Sequence, residues 1–471
     1  MAYWPFFVLF VSVGLVVFLI TVIRLHAFFS LIIAAIAAGL LAGPLPGEPN
    51  ASHAVQAVEL TTAEFGSTAG KIGVVIAIAS VIAACLMESG AADKVVRRFL
   101  RVFGERYASF ALFVSSYILS IPIFFDTFFM LLLPIAQALA LRLRKDYLLF
   151  LMAICSASIV THITVAPHPG PLAMASTLRL DLGLTILAGL GLGTIPALSA
   201  WLVACWLNRR LTIPLPQRHG TSEADLERTL TIDEGSLPGL LPSILPVVLP
   251  IGLIAAASVM TALPVHARHP ILYPILEFAG NRNVALMLGA AIAIWVLARH
   301  KGYSLGRICS VIGPTLETAG TIILITSAGG AFGLMLKHAG VGQAIQSLAA
   351  GRQVNLVLLA WLASTVIRIA QGSATVAMLT TAAMMVPIVY PQDANAASAL
   401  PYHPVYIYLA IGFGSINCSW MNDSGFWVVS RLSGMTEKQT LKTWTIITTV
   451  VSVSGLAVTL AGSALLPCPV Q

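Results

Sequence analysis

Long apolar runs decide what this chain can fold into. Eight uninterrupted runs are each close to the length of about 18 residues or more that a bilayer-crossing helix needs. Inside hydrocarbon every backbone polar group must be satisfied by the protein itself, which favours helices. The eight predicted spans lie near residues 4–23, 27–44, 71–89, 184–207, 240–262, 282–298, 313–336 and 443–466. The sequence therefore predicts an all-α polytopic membrane protein.

The composition agrees with this class. Of the 471 residues 58% are hydrophobic and 10% charged, whereas a soluble domain is about 25% charged. We do not interpret the net charge of +7 as nucleic-acid binding, because in a membrane protein the positions of Lys and Arg relative to the spans matter. The six cysteines are scattered without a CxxC pair, so we predict no disulfide framework, no metal site and no cofactor. The first apolar run lacks the features of a signal peptide and is interpreted as a retained span.

The basic residues assign the two sides of the membrane. Nineteen of the 26 Lys and Arg residues fall at Arg24 and in five loops, which we place in the cytoplasm. The five loops are 94–106, 142–145, 208–237, 299–307 and 431–442. The other side then carries Lys71, Arg179, Arg268, Arg282, Lys337 and Arg352. Both termini lie outside the cytoplasm in this arrangement.

Four further apolar segments are interrupted midway. Segments 107–141 and 355–390 are each about two spans long, and we interpret them as re-entrant hairpins with tips at Pro122 and Gly372 rather than as pairs of short spans. Segments 147–178 and 404–430 are predicted to be broken transmembrane helices. Non-helical backbone is tolerated at membrane depth where it lines a cavity, so all four interruptions are candidates for a site.

The two halves of the chain repeat this order. The hairpin tips are 250 residues apart, and the interruptions at His168 and Asn422 are 254 apart. The first half starts outside and the second inside, so the repeats are inverted. We assign 1–207 to the first repeat, 208–237 to a cytoplasmic linker and 238–471 to the second repeat. Paired interrupted segments of this kind indicate a secondary transporter with alternating access and a site near the midplane.

The interruptions carry the candidate binding residues. Helices that restart after Gly170, Gly372 and Gly425 would aim N–H groups at the gap and favour an anion. Arg368 either holds a substrate carboxylate or is the structural partner of a hairpin carbonyl or carboxylate. Nearby hydroxyls and amides suit a small hydroxy carboxylate. The predicted substrate-binding residues are Phe125, Asp126, Thr164, Pro167, His168, Pro169, Gly170, Arg368, Gly372, Ser373, Thr375, Asn422, Asp423, Ser424 and Gly425.

Four of the interrupting residues are candidates for carrying a coupled proton. They are Asp126, His162, His168 and Asp423, because buried carboxylates and histidines can titrate near neutral pH. Two structural alternatives stay open: His162 as the cap of a backbone carbonyl and Asp423 as a helix N-cap. Glu88 is better explained as interfacial. Carbonyls of residues 417–423 provide a sodium-coupled alternative. The sequence contains no recognisable nucleophile–base set, so we predict no enzyme.

Seven sequence motifs resemble those of one known family. They are 66–73, 88–91, 121–126, 167–171, 328–332, 372–377 and 422–427. The chain resembles the gluconate permease family of bacterial gluconate–proton symporters, within the ion-transporter superfamily. The resemblance implies an inner-membrane symporter for gluconate or a related sugar acid, embedded in lipid and assembled as a homodimer. Relatives that carry ketogluconate, fructuronate, glycerate or D-serine are alternatives, and Ala166 stands where the family usually has another proline.

Overall fold

The computed structural model shows a bundle of α-helices. It describes residues 4–46, 51–215, 234–262, 269–341, 344, 355–390, 400–421 and 423–467. Within these ranges eight helices are long and apolar enough to cross a membrane. Residues 216–233 of the linker and Asn422 lie outside the described part. The division into two inverted repeats stays a prediction.

The first half of the chain forms nine α-helices in the described ranges. They are α1 (Trp4–Thr21), α2 (Ala27–Leu41), α3 (His53–Glu88), α4 (Ala91–Phe103), α5 (Ala108–Leu119), α6 (Phe125–Leu143), α7 (Tyr147–Thr164), α8 (Pro169–Thr177) and α9 (Leu182–Arg210). The second half adds ten. They are α10 (Leu240–Ala262), α11 (Leu272–Ala279), α12 (Arg282–Lys301), α13 (Leu305–His338), α14 (Leu356–Gln371), α15 (Ala374–Val389), α16 (Val405–Gly414), α17 (Ser424–Ser433), α18 (Glu437–Lys442) and α19 (Trp444–Leu465).

The four interrupted segments are broken where the sequence placed the interruptions. Segment 107–141 divides into α5 and α6 around Pro122, and segment 147–178 divides into α7 and α8 where prolines prevent the helix from continuing. Segment 355–390 divides at Gly372, whose φ of 79° is left-handed backbone that glycine adopts readily. Segment 404–430 loses its helix between α16 and α17. The re-entrant position of the two hairpins in a bilayer stays a prediction.

Some helix boundaries differ from the predicted ones. The predicted span 71–89 is the second half of α3, which begins at His53, and the predicted span 313–336 lies within α13, which begins at Leu305. The predicted loop 94–106 is mostly the amphipathic helix α4. Hydropathy detects the apolar part of a helix but not a polar extension, so these errors have a common physical cause.

Two packing units hold the breaks in place. α7 is buried along nearly its whole length, with α5, α6 and α9 packed around it. The long helices α3 and α13 run antiparallel, since Gly73 lies against Ile323 and Gly330 against Thr68. At one end of this pair the hydroxyl of Tyr303 donates a 2.8 Å hydrogen bond to Glu88, which raises the pKa of the tyrosine. Glu88 thus lies at the end of α3, and its position at the membrane interface stays a prediction.

Candidate functional site

A polar cavity of about 280 Å³ lies where three of the four interruptions meet. One wall comes from the start of α6, a second from the junction of α14 and α15, and a third from the stretch that leads into α17. α7, α13 and α19 complete the wall. The lining residues are Phe124, Phe125, Asp126, Thr127, Ile159, His162, Thr318, Ile322, Arg368, Ser373, Ala374, Thr375, Ile416, Asp423, Ser424, Gly425 and Trp444.

Three helices begin at residues that line this cavity. They are α6, α15 and α17. Ser373 caps α15 by accepting from the backbone N–H of Val376, and Asp423 caps α17, whereas Phe124 gives α6 no side-chain cap. Each helix N-terminus carries a partial positive charge from its unpaired N–H groups. These three helix starts therefore contribute a positive potential that favours an anion in the cavity.

Arg368 and Asp423 form a buried ion pair beside the cavity. The guanidinium donates to the carboxylate of Asp423 and also to the carbonyl of Gly372, and the Arg368 side chain is only 1% exposed. Asp423 additionally accepts a 3.0 Å hydrogen bond from the backbone N–H of Gly425. Both structural alternatives that the sequence left open for these residues are therefore present. Arg368 holds the α14–α15 junction and Asp423 is a helix N-cap.

A hydrogen-bond chain extends this pair to the last long helix. The indole N–H of Trp444 donates to the Ser419 hydroxyl over 2.6 Å, and that hydroxyl donates to Asp423. Thr445 donates to the carbonyl of Ser419. These hydrogen bonds connect α19, the non-helical stretch before α17 and the α14–α15 junction. They fix the Asp423 carboxylate in one orientation.

The two histidines lie together but have different surroundings. Their ring centroids are 4.9 Å apart. His168 donates from Nε2 to the carbonyl of Ser120 over 2.8 Å and is buried. His162 lines the cavity, and its Nδ1 is buried without a hydrogen-bond partner in the described part of the chain. The carbonyl-capping role considered for His162 thus belongs to His168.

The structure brings together about half of the predicted binding residues. Phe125, Asp126, Arg368, Ser373, Thr375, Asp423, Ser424 and Gly425 line the cavity. Those that do not line it, among the described residues, are Thr164, Pro167, His168, Pro169, Gly170 and Gly372.

The residues outside the cavity have structural contacts instead. The carbonyl of Thr164 accepts from the Tyr408 hydroxyl at 2.8 Å, and Gly170 packs closely against Met378 of α15. Pro167 lines a separate apolar gap of about 20 Å³ beside Pro246. The start of α8 at Pro169 therefore packs against α15 and does not line the cavity. The start of α6 lines the cavity instead.

Several lining residues were not singled out from the sequence. Trp444, Thr318 and Ile322 lie in segments that hydropathy reports as ordinary spans. A charged residue among three threonines, in the run Thr315 to Thr321, was the available signal for α13. For Trp444 the sequence contained no comparable signal.

A second cavity, of about 290 Å³, is lined by basic residues and lies at the C-terminal ends of α8 and α15. Lys71 of α3, Lys337 of α13 and Arg179, just after α8, contribute to its lining, together with Glu64. All three cations belong to the six that the sequence places outside the cytoplasm. Arg179 also stacks over the ring of Tyr390 at 5.2 Å. α8 and α15 pack against each other between this basic cavity and the polar cavity.

Comparisons with known proteins match nearly the whole chain to permeases. The GntP family permease model matches residues 4–465. The gluconate permease of Pseudomonas aeruginosa is 32% identical over 451 residues, which cover 94% of each chain. The inner membrane permease YgbN of Escherichia coli is 30% identical over 452 residues, which cover 95% of this chain and 96% of that protein.

A solved structure shares the fold. The YdaH transporter of Alcanivorax borkumensis matches with a TM-score of 0.64, covering 94% of this chain and 98% of that one, at 14% sequence identity. At this identity the likeness concerns the fold alone.

Proposed function

The chain belongs to the GntP family of permeases, a multi-pass protein of the bacterial inner membrane, and from that premise we propose that it takes up gluconate or a closely related sugar acid by proton symport. It works by alternating access, with the polar cavity as the substrate site. The name of the Pseudomonas aeruginosa relative supports gluconate as the first substrate to test. The homodimer implied by the family resemblance belongs to the same proposal.

The observation that carries the proposal is the meeting of three helix N-termini at one cavity. An anionic substrate gains from each N-terminus about 0.3–1 kcal/mol when exposed and more when partly buried. The hydroxyls of Thr127, Ser373, Thr375 and Ser424 line the same space and can exchange hydrogen bonds with substrate hydroxyls. A small carboxylate with several hydroxyls matches both features.

Asp126 is the strongest candidate for the coupled proton. Its side chain lines the cavity and forms no ion pair among the described residues. Asp423, in contrast, accepts hydrogen bonds from Arg368, Ser419 and Gly425, so protein partners already occupy its carboxylate. We therefore assign Asp423 a structural role, as the ion-pair partner of Arg368 and as the N-cap of α17. His162 is the second candidate, because it faces the same cavity.

Sodium coupling is the alternative, and one observation favours it. Asn417 lies in the non-helical stretch after α16, and its Oδ1 is buried without a hydrogen-bond partner in the described part of the chain. Side-chain and backbone oxygens of this kind are suitable ligands for a sodium ion.

Uptake into proteoliposomes tests the proposal. We expect radiolabelled gluconate to accumulate when an inward proton gradient is imposed in sodium-free buffer. The Asp126→Asn variant should lose this accumulation but retain gluconate exchange at equal pH on both sides, because binding and translocation remain without proton coupling. Accumulation that requires sodium would contradict proton coupling, and an Asp126→Asn variant with normal gradient-driven uptake would remove Asp126 from the mechanism.

A further inference from the structure

The long helix α13 carries a polar face that begins at the polar cavity. This face consists of Ser310, Glu317, Thr318 and Thr321, all exposed. Their spacing places them on one side of an α-helix, and Thr318 also lines the cavity. The neighbouring side carries the exposed apolar residue Leu316. α13 thus has a polar and an apolar exposed side at the same depth.

The carboxylate of Glu317 argues against contact between the polar face and lipid. The hydroxyls of Ser310 and Thr318 donate to carbonyls of their own helix, at 2.7 and 3.2 Å, so lipid would tolerate them. A carboxylate has no such local partner. Placing a charged Asp-type side chain at the bilayer centre costs about 2.5–3.5 kcal/mol even on insertion scales. Arg307, the nearest basic residue on the helix, lies about 15 Å away along the axis, ten residues earlier.

The polar face runs from the polar cavity toward the end of α13 near Tyr303. At that end Tyr303 donates a hydrogen bond to Glu88, the last residue of α3. Glu88 precedes the basic segment 94–106, which the sequence places in the cytoplasm. Thr127 of α6 lines the same cavity, so the two helices face a common space. The polar face therefore extends from the polar cavity in the direction of the predicted cytoplasmic side.

We propose that the polar face of α13 is one wall of an aqueous crevice through which the substrate leaves the polar cavity for the cytoplasm. The proposal rests on the proposed function in taking the polar cavity as the substrate site. Glu317 gives this crevice a negative charge. Repulsion between two negative charges weakens retention of an anionic substrate and favours its release.

Accessibility of single cysteines tests the crevice without any substrate. In a background in which the native cysteines are replaced, Glu317→Cys and Thr321→Cys are compared with Leu316→Cys, the matched control from the apolar side. The probe is a membrane-impermeant cationic methanethiosulfonate, applied to inside-out vesicles. The reacting thiolate forms only in contact with water, so we expect the two polar-face cysteines to be labelled about tenfold faster or more than the control.

Equal labelling of all three cysteines, or labelling only from the outer side of the membrane, would overturn the crevice. Thr321→Cys keeps the test decisive if Glu317→Cys is not inserted. The charge is tested separately by Glu317→Gln, for which we expect an about fivefold lower KM for gluconate presented from the cytoplasmic side. Glu437→Gln, the same change on the exposed helix α18, should leave that KM unchanged. An unaltered KM in Glu317→Gln would remove the electrostatic role, while labelling would still decide the crevice.

Discussion

Arg368 and Asp423 form a buried ion pair, so neutralising either residue leaves the other charge without its partner. Such a loss typically costs about 3–5 kcal/mol, whereas removing both charges can be nearly neutral. We expect Arg368→Gln and Asp423→Asn each to lower the melting temperature of the purified protein in detergent. The double variant Arg368→Gln/Asp423→Asn should recover most of that loss.

The matched control is the exposed pair between Arg142 and Glu105, whose side chains are 61% and 53% exposed. Exposed ion pairs contribute about 0–1 kcal/mol, so Arg142→Gln should change the melting temperature little. Losses that simply add in the double variant would show that Arg368 and Asp423 stabilise the protein independently of each other.

Sequence reasoning identified Arg368 and Asp423 but not their pairing. Both stand out as ionisable residues in apolar segments, which is a local property of the chain. Their contact depends on how the α14–α15 junction packs against the stretch before α17, and no spacing rule relates residues 55 positions apart. Glu317 carried the same kind of local signal, but it was not singled out. It lies inside a run whose average hydropathy is that of a span.

At the scale of helices, breaks were predictable and orientations were not. Proline and glycine interrupt a helix through their own backbone chemistry, so the breaks near Pro167 and Gly372 follow from the sequence alone. Which helix start reaches the cavity depends on packing. The start of α8 is buried against Met378 of α15, while the start of α6 is exposed to the cavity.

The contact between α9 and the end of α7 offers a test at this scale. A Cβ added at Gly189 would lie 2.2 Å from the carbonyl oxygen of Thr164, the last residue of α7. A backbone carbonyl cannot move aside as a flexible side chain can, so Gly189→Ala should displace the C-terminal end of α7. Overpacking of this kind typically costs about 1–3 kcal/mol. We expect a lower melting temperature in detergent and slower gluconate uptake.

Gly191 of the same helix provides the control, since a Cβ there meets no atom within 4 Å. Gly191→Ala should match the unmodified protein in both measurements, or exceed it slightly because alanine favours helices. If Gly189→Ala were as stable and as active as Gly191→Ala, α9 would not hold the end of α7 in position.

At the scale of the whole molecule, the basic cavity, the polar cavity and the polar face of α13 form a series. α8 and α15 lie between the basic cavity and the polar cavity. Thr318 belongs both to the polar cavity and to the polar face of α13. Counting basic residues predicted that Lys71, Arg179 and Lys337 share one side of the membrane. Their convergence in one cavity required the antiparallel packing of α3 and α13, which hydropathy does not encode.

If this series is the substrate route, the basic cavity should attract sugar acids from outside the cell. Fields in charged clefts raise association rates by about tenfold or more, and salt screens them over about 10 Å at 0.1 M ionic strength. We therefore expect Lys71→Gln/Lys337→Gln to raise the KM for gluconate uptake severalfold at low ionic strength, with an unchanged maximal rate. The difference should shrink as salt is added. Lys438→Gln, an exposed lysine of α18 in a predicted cytoplasmic loop, is the control and should leave the KM unchanged. A KM that is independent of salt and of both cavity lysines would exclude the basic cavity from the route, even if the polar cavity binds the substrate.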